Sequence, residues 1–245
     1  MTAHAGLIGL YTFNGDLTDS SGSGNNGTNA GSNNVTFSAN GGPSGGPAGV
    51  FNGNAWFNVP IDTRTSALSQ VTYGGWFDLT DASTIIRGLI SNDDGNFDRT
   101  LDIDTRNSGL KYSVFNGAGV QGGTAVSTST WVFLAVSYNQ TTNSLVFDSN
   151  GTQVSGSTSF GSQTVTNTTI GRNPNFDTPF VGQMSSVFVY NTALDFTQLE
   201  QIRSGGPSFF SPSNPTPGVP EPGTMALLGT GLIGVAMAAR RRVKR

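Results

Sequence analysis

Large apolar residues alternate with small or polar ones along much of this chain, at the two-residue period of an extended strand. Across residues 71–79, Val71, Tyr73, Phe77 and Leu79 share one face, with Thr72 and Asp78 opposite. Leu101 and Ile103 form a second alternating run, and Leu110, Tyr112 and Val114 a third; the polar stretch 104–109 between them supplies a turn. Residues 7–13 (LIGLYTF) make a short, strongly apolar strand. Residues 131–138 differ, because Trp131, Phe133 and Ala135 oppose Val132, Leu134 and Val136. A strand apolar on both faces is a central one, and two stacked sheets are expected to cover it. Short strands separated by turn-rich segments point to an all-β, two-sheet antiparallel sandwich rather than an α/β fold.

The helical period occurs once in the body of the chain. Phe196, Leu199 and Ile202/Arg203 fall on one side, Asp195 is placed to cap the first turn with Gln198 as its partner, and Gly205 stops the helix near residue 203. From Gly205 the composition shifts, with six of the 11 prolines lying between Pro207 and Pro222, which predicts an extended linker over 205–219. An uncharged apolar run follows at 224–239, and then five cations within 240–245. Sixteen helical residues rise about 24 Å, short of the roughly 30 Å hydrocarbon core, a deficit that snorkelling arginines relieve. The pattern predicts a single short transmembrane helix whose basic end stays cytoplasmic, leaving the body outside.

Pro220, Glu221 and Pro222, the short apolar run and the basic cluster resemble, in that order, the PEP-CTERM sorting signal of Gram-negative bacteria. The resemblance implies a transient anchor in the inner membrane that an exosortase recognises and cuts, delivering the body to the cell surface or extracellular matrix. Within the apolar run, residues 229–234 formally match the dinucleotide pattern G-x-G-x-x-G, but they lack a preceding strand and a downstream acid, so they are small packing residues of a membrane helix. Residues 1–5 contain neither a charged nor an apolar signal segment; Ala3-His4-Ala5 before Gly6 has a small-x-small pattern, and is expected to be the remnant of a signal peptide that starts upstream.

The body carries a second resemblance. Residues 10–28, with Asp19 leading into Ser20-Ser21-Gly22-Ser23-Gly24-Asn25-Asn26-Gly27, look like the opening of laminin-G-like (concanavalin A-like) jelly-roll domains. Further blocks follow in that family's order: Val50-Phe51-Asn52-Gly53 with Ala55-Trp56-Phe57-Asn58, Gly75-Trp76-Phe77, Trp131 to Tyr138, Leu145-Val146-Phe147-Asp148 with Gly151, Ile170-Gly171-Arg172, and residues 180–194. The resemblance implies one jelly-roll domain over 6–204, with carbohydrate binding, as a lectin or matrix protein, as its expected role. It also implies a structural calcium held by Asp19, Asn26 and Gly53. Met184-Ser185 stands where the family commonly carries a carboxylate, which weakens that site.

Composition narrows the chemistry. Of the 12 Lys and Arg, seven precede the basic tail, against 14 of the 15 Asp and Glu, so the body is acidic and unsuited to nucleic acid. The one histidine, His4, lies in the signal remnant and cysteine is absent, which removes nucleophile–histidine machinery and the usual zinc ligands. Glu200 and Glu221 are the two glutamates, and neither sits in a Glu-x-Asp-x-Glu strand of the kind some concanavalin A-like hydrolases use. A glycosidase would have to rely on Asp102 and Asp104, whose ordinary reading is two solvated carboxylates on an outer face. A non-enzymatic protein is therefore expected. The tripeptide Asn-Phe-Asp recurs at 96–98 and 175–177; an aromatic face beside a hydrogen-bonding carboxylate suits a sugar, which makes Phe97, Asp98, Phe176 and Asp177 candidate glycan contacts.

Overall fold

The computed structural model describes residues 6–83, 86–174 and 176–211. The predicted membrane helix at 224–239, the Pro220-Glu221-Pro222 signal and the signal remnant lie outside them.

Two eight-stranded sheets form the fold. The first runs, from edge to edge, through Thr152–Ser157, Ser144–Ser149, Val132–Asn139, Gln70–Leu79, Val181–Tyr190, Ala48–Asn52 and Thr36–Ser38, with Leu7–Tyr11 also paired to Val181–Tyr190. The second runs through Val120–Ala125, Lys111–Phe115, Thr100–Asp104, Arg87–Ser91, Thr168–Ile170, Phe57–Val59 and Thr28–Asn29. Neighbouring strands are antiparallel, except that Thr178–Pro179 pairs parallel with Arg87–Ser91. The alternation read from the sequence sets the faces. Val71, Tyr73, Phe77 and Leu79 meet Leu101, Ile103, Tyr112 and Val114 across the interior, where Phe51, Phe57 and Phe180 fill one end. Fully burying side chains of this size stabilises by about 1.5–3 kcal/mol each before ordering costs.

The doubly apolar strand has a different second cover from the one expected. Val132, Leu134, Val136 and Tyr138 face the interior between the sheets. Phe133 and Ala135 instead join Trp76, Phe188 and Tyr190 in a second cluster outside the first sheet, closed by Leu199, Ile202 and Phe209. A helix, not a sheet, covers that side. It spans Phe196–Gly205, with the expected capping box between Asp195 and Gln198, and Gly206 at φ 62° ends it. The 3-10 turn Pro207–Phe210 follows, burying Phe209 and setting Phe210 edge-on to Trp76 and tilted against Phe188. The compact unit thus runs to Phe210, six residues past the boundary placed at 204, because Pro207 and its neighbours read as linker while two phenylalanines hold them on the sheet.

Candidate binding face

The outer face of the second sheet is where the polar side chains gather. In Phe57–Val59 the two apolar residues enter the core, so Asn58, and Trp56 just before it, point outward. On the neighbouring strand Ile170 points in and Thr169 out, and the Thr169 hydroxyl donates to Asn58 Oδ1 at 2.8 Å. Half-buried Trp56 with Asn58, Asn167, Thr169, Arg172 and Pro174 lines a cavity of about 350 Å³. Gly171, at φ +94°, turns the chain there; an added Cβ would meet the Phe51 ring at 2.8 Å. That turn brings the Arg172 guanidinium over the Trp56 ring, 4.6 Å from its centre.

The loop that starts at Arg172 then crosses the same face. Gly88 makes this possible, because a Cβ there would lie 2.1 Å from the Asn173 backbone nitrogen. Asn173 is fully buried and its Nδ2 donates to Asp93 Oδ2 (2.9 Å) and to Asp177 Oδ2 (2.8 Å), joining this loop to the one at 92–99. Asp177 is thereby joined through Asn173 to the loop at 92–99 that carries Phe97 and Asp98. The four candidate side chains are used differently. Phe97 packs edge-on to Phe115 at 5.3 Å and carries the Arg106 guanidinium on its face. Asp98 is buried and its carboxyl is pushed up to about 7, first by burial and then by the nearby Asp94 carboxyl. Burial likewise raises Asp177 above the usual carboxylate range. Phe176 alone of the four stands in solvent, 47% exposed.

Asp102 and Asp104 occupy that outer face, as their alternation requires, but they are not solvated: both are fully buried beneath this cover. Arg106 forks onto the Asp104 carboxylate. Asp102 has no partner for either oxygen, and burial, with Asp104 and Asp177 adding negative charge nearby, lifts it well above the usual carboxylate range. Its carboxyl therefore holds its proton to higher pH than an exposed aspartate does.

The first glycine-rich loop is self-contained. Asp19 Oδ1 accepts from the backbone N–H of Leu10 (2.9 Å) and Ser21 (2.8 Å), while Oδ2 accepts from the Ser21 hydroxyl (2.9 Å) and Asn25 N–H (2.9 Å). Asn26 Oδ1 accepts from Asp19 N–H. These donors occupy the lone pairs of the Asp19 carboxylate and engage Asn26 Oδ1, so these two side chains as placed do not fit the ion, and among the described residues no three acidic or histidine side chains are grouped to hold a metal. The role of Asp19 here is to tie the loop down.

Trp56, Asn58, Thr169 and Arg172 were not singled out as a site from the sequence. The signal was present in the alternation of residues 56–59, which sets Trp56 and Asn58 on the face opposite Phe57 and Val59.

Comparison with known proteins places these features. Residues 51–200 match the family described as the concanavalin A-like lectin/glucanases superfamily, and residues 218–242 match the PEP-CTERM protein-sorting motif. No curated protein matches the chain. Among solved structures, domain 4 of AbnA, a GH43 extracellular arabinanase from Geobacillus stearothermophilus in complex with arabinotriose, superposes with a TM-score of 0.60 at 22% identity, covering 80% of this chain and 98% of that one. The binding domain of botulinum neurotoxin serotype D gives 0.57 at 14% identity, covering 81% and 51%. That of Paraclostridial Mosquitocidal Protein 1 gives 0.58 at 14% identity, covering 80% and 51%. The chain spans about half the length of these toxin domains. At such identities the likeness is one of fold, a jelly roll of the concanavalin A type.

Proposed function

Because the chain belongs to the concanavalin A-like lectin/glucanases superfamily and carries a PEP-CTERM sorting motif that indicates an exported protein, we propose that it is a non-catalytic glycan-binding protein of the cell surface or extracellular matrix. The sugar enters the cavity against Trp56. That cavity carries the reading: one half-buried aromatic face, with Asn58, Asn167 and Thr169 supplying amide and hydroxyl groups around it, is a chemistry suited to a pyranose or furanose ring. Exposed Phe176, on the loop that also carries Arg172 and Pro174, offers a second apolar surface for a longer chain. The arabinotriose bound by the superposable AbnA domain is consistent with a glycan ligand for this fold. The tail acts first, as a transient inner-membrane anchor, until an exosortase cuts near Pro220-Glu221-Pro222.

A glycan array probed with the purified body and with Trp56→Ala tests the reading. Saturable binding to a defined glycan, lost in the variant while its thermal midpoint holds, is the expected result. A matrix protein with no ligand gives no saturable signal, and a hydrolase shortens the printed glycans.

A further inference from the structure

We infer that the Trp56 cavity selects acidic sugars, with Arg172 receiving the carboxylate of a uronic acid; this rests on the glycan reading above and names its ligand class. Acids outnumber bases two to one in the body, yet among the described residues no acidic residue lines this cavity, and Arg172 is its one charged lining residue. Arg172 is also unlike the other arginines of the described residues. Arg64, Arg87, Arg106 and Arg203 each pair with a carboxylate, and Arg99 is buried with its guanidinium spent on the backbone carbonyls of Thr63, Leu68 and Ser69. Arg172 forms no ion pair and donates no hydrogen bond among the described residues; its Nε, like those of Arg87 and Arg99, is buried without an acceptor, but its other donors are unspent as well.

A guanidinium held in place with open donors is set for an incoming oxyanion, which it binds through two parallel N–H···O bonds. The Trp56 ring fixes its plane, so little side-chain freedom is lost on binding. The acids on this face form no pair with it. Asp104 is held by Arg106, Asp102 is fully buried, and Asp93 and Asp177 accept from Asn173. A ring stacked near Trp56, with hydroxyls on Asn58 and Thr169, brings a carboxylate on its rim toward Arg172, whereas a neutral sugar leaves the guanidinium unmatched.

Calorimetric titration with trigalacturonate and with its methyl ester tests this, since esterification removes the charge and keeps the ring. The wild-type protein is expected to favour the free acid by about tenfold. Arg172→Gln should bind both probes equally, at the wild-type ester affinity, and Arg172→Lys should keep part of the preference. Equal binding of both probes by the wild type, or a preference that survives in Arg172→Gln, overturns the inference while leaving a glycan site in place. Binding of both probes unaffected by Trp56→Ala, or no binding of either probe by the wild type, removes the cavity as the site and the inference with it.

Discussion

The backbone nitrogen of Asn173 lies where a side chain on Gly88 would have to stand, 2.1 Å from an ideal Cβ. The loop carrying Arg172, Pro174 and Phe176 is thus seated directly on the sheet, and one methyl group would lift it. We expect Gly88→Ala to cost about 1–3 kcal/mol, in the range of overpacked sites, and to weaken glycan binding at least tenfold by displacing Arg172 from Trp56. A denaturant titration paired with the binding assay measures both; unchanged binding would mean that the loop does not position the cavity.

Stability should fall as pH rises from about 4 to about 7. Asp98 and Asp148 are each pushed up to about 7, chiefly by burial, from an ordinary value near 4. A carboxyl whose folded-state value is raised holds its proton in the native state longer than in the unfolded chain. Its contribution is therefore complete below about pH 4 and lost as pH climbs through about 7, at up to roughly 1.4 kcal/mol per pH unit for each group. Asp98→Asn should flatten part of that slope. Chemical denaturation at a series of pH values reads it directly, and a stability that rises across the window would contradict the burial of these acids.

Millimolar calcium should leave the thermal midpoint unchanged, because Asp19 already accepts four hydrogen bonds, three from its own loop and one from Leu10 of the first strand. Asp19→Ala, in contrast, strands three buried or half-buried backbone N–H groups, at about 1–3 kcal/mol for each donor left dry. A midpoint raised by calcium and unresponsive in Asp19→Ala would show that the loop rearranges to release its carboxylate.

Truncation should separate the linker from the domain. A chain ending after residue 204 loses Phe209 and Phe210 from the cluster around Trp76, and is expected to be at least about 3 kcal/mol less stable than one ending after residue 211. Equal melting of the two would restore the boundary at 204.

That boundary illustrates what sequence alone conveyed. Period-two alternation located the strands around residues 71–79, 101–103 and 111–114 and their inward faces correctly, since burial on one side leaves a local trace in residue order; Val71, Tyr73, Phe77 and Leu79 are an example. The capping box at Asp195 was equally local. What was missed depends on what lies above a residue. Asp102 and Asp104 alternate as surface residues would, and become buried because a loop 70 positions later lies over them. Phe133 shows the same limit, as its apolar character demanded a cover but could not say that a helix provides it. Trp56 was visible as part of a family block, yet its partnership with Arg172 arises from strand pairing between Phe57–Val59 and Thr168–Ile170.

Strand Leu7–Tyr11 finds its ladder partner in Val181–Tyr190, so the two ends of the domain meet in one sheet. A chain threaded outward from its N-terminus carries its first strand unmatched until the last has emerged. Long-range pairing of this kind also closes slowly. The connectivity by itself therefore postpones completion of the first sheet until the whole domain is available.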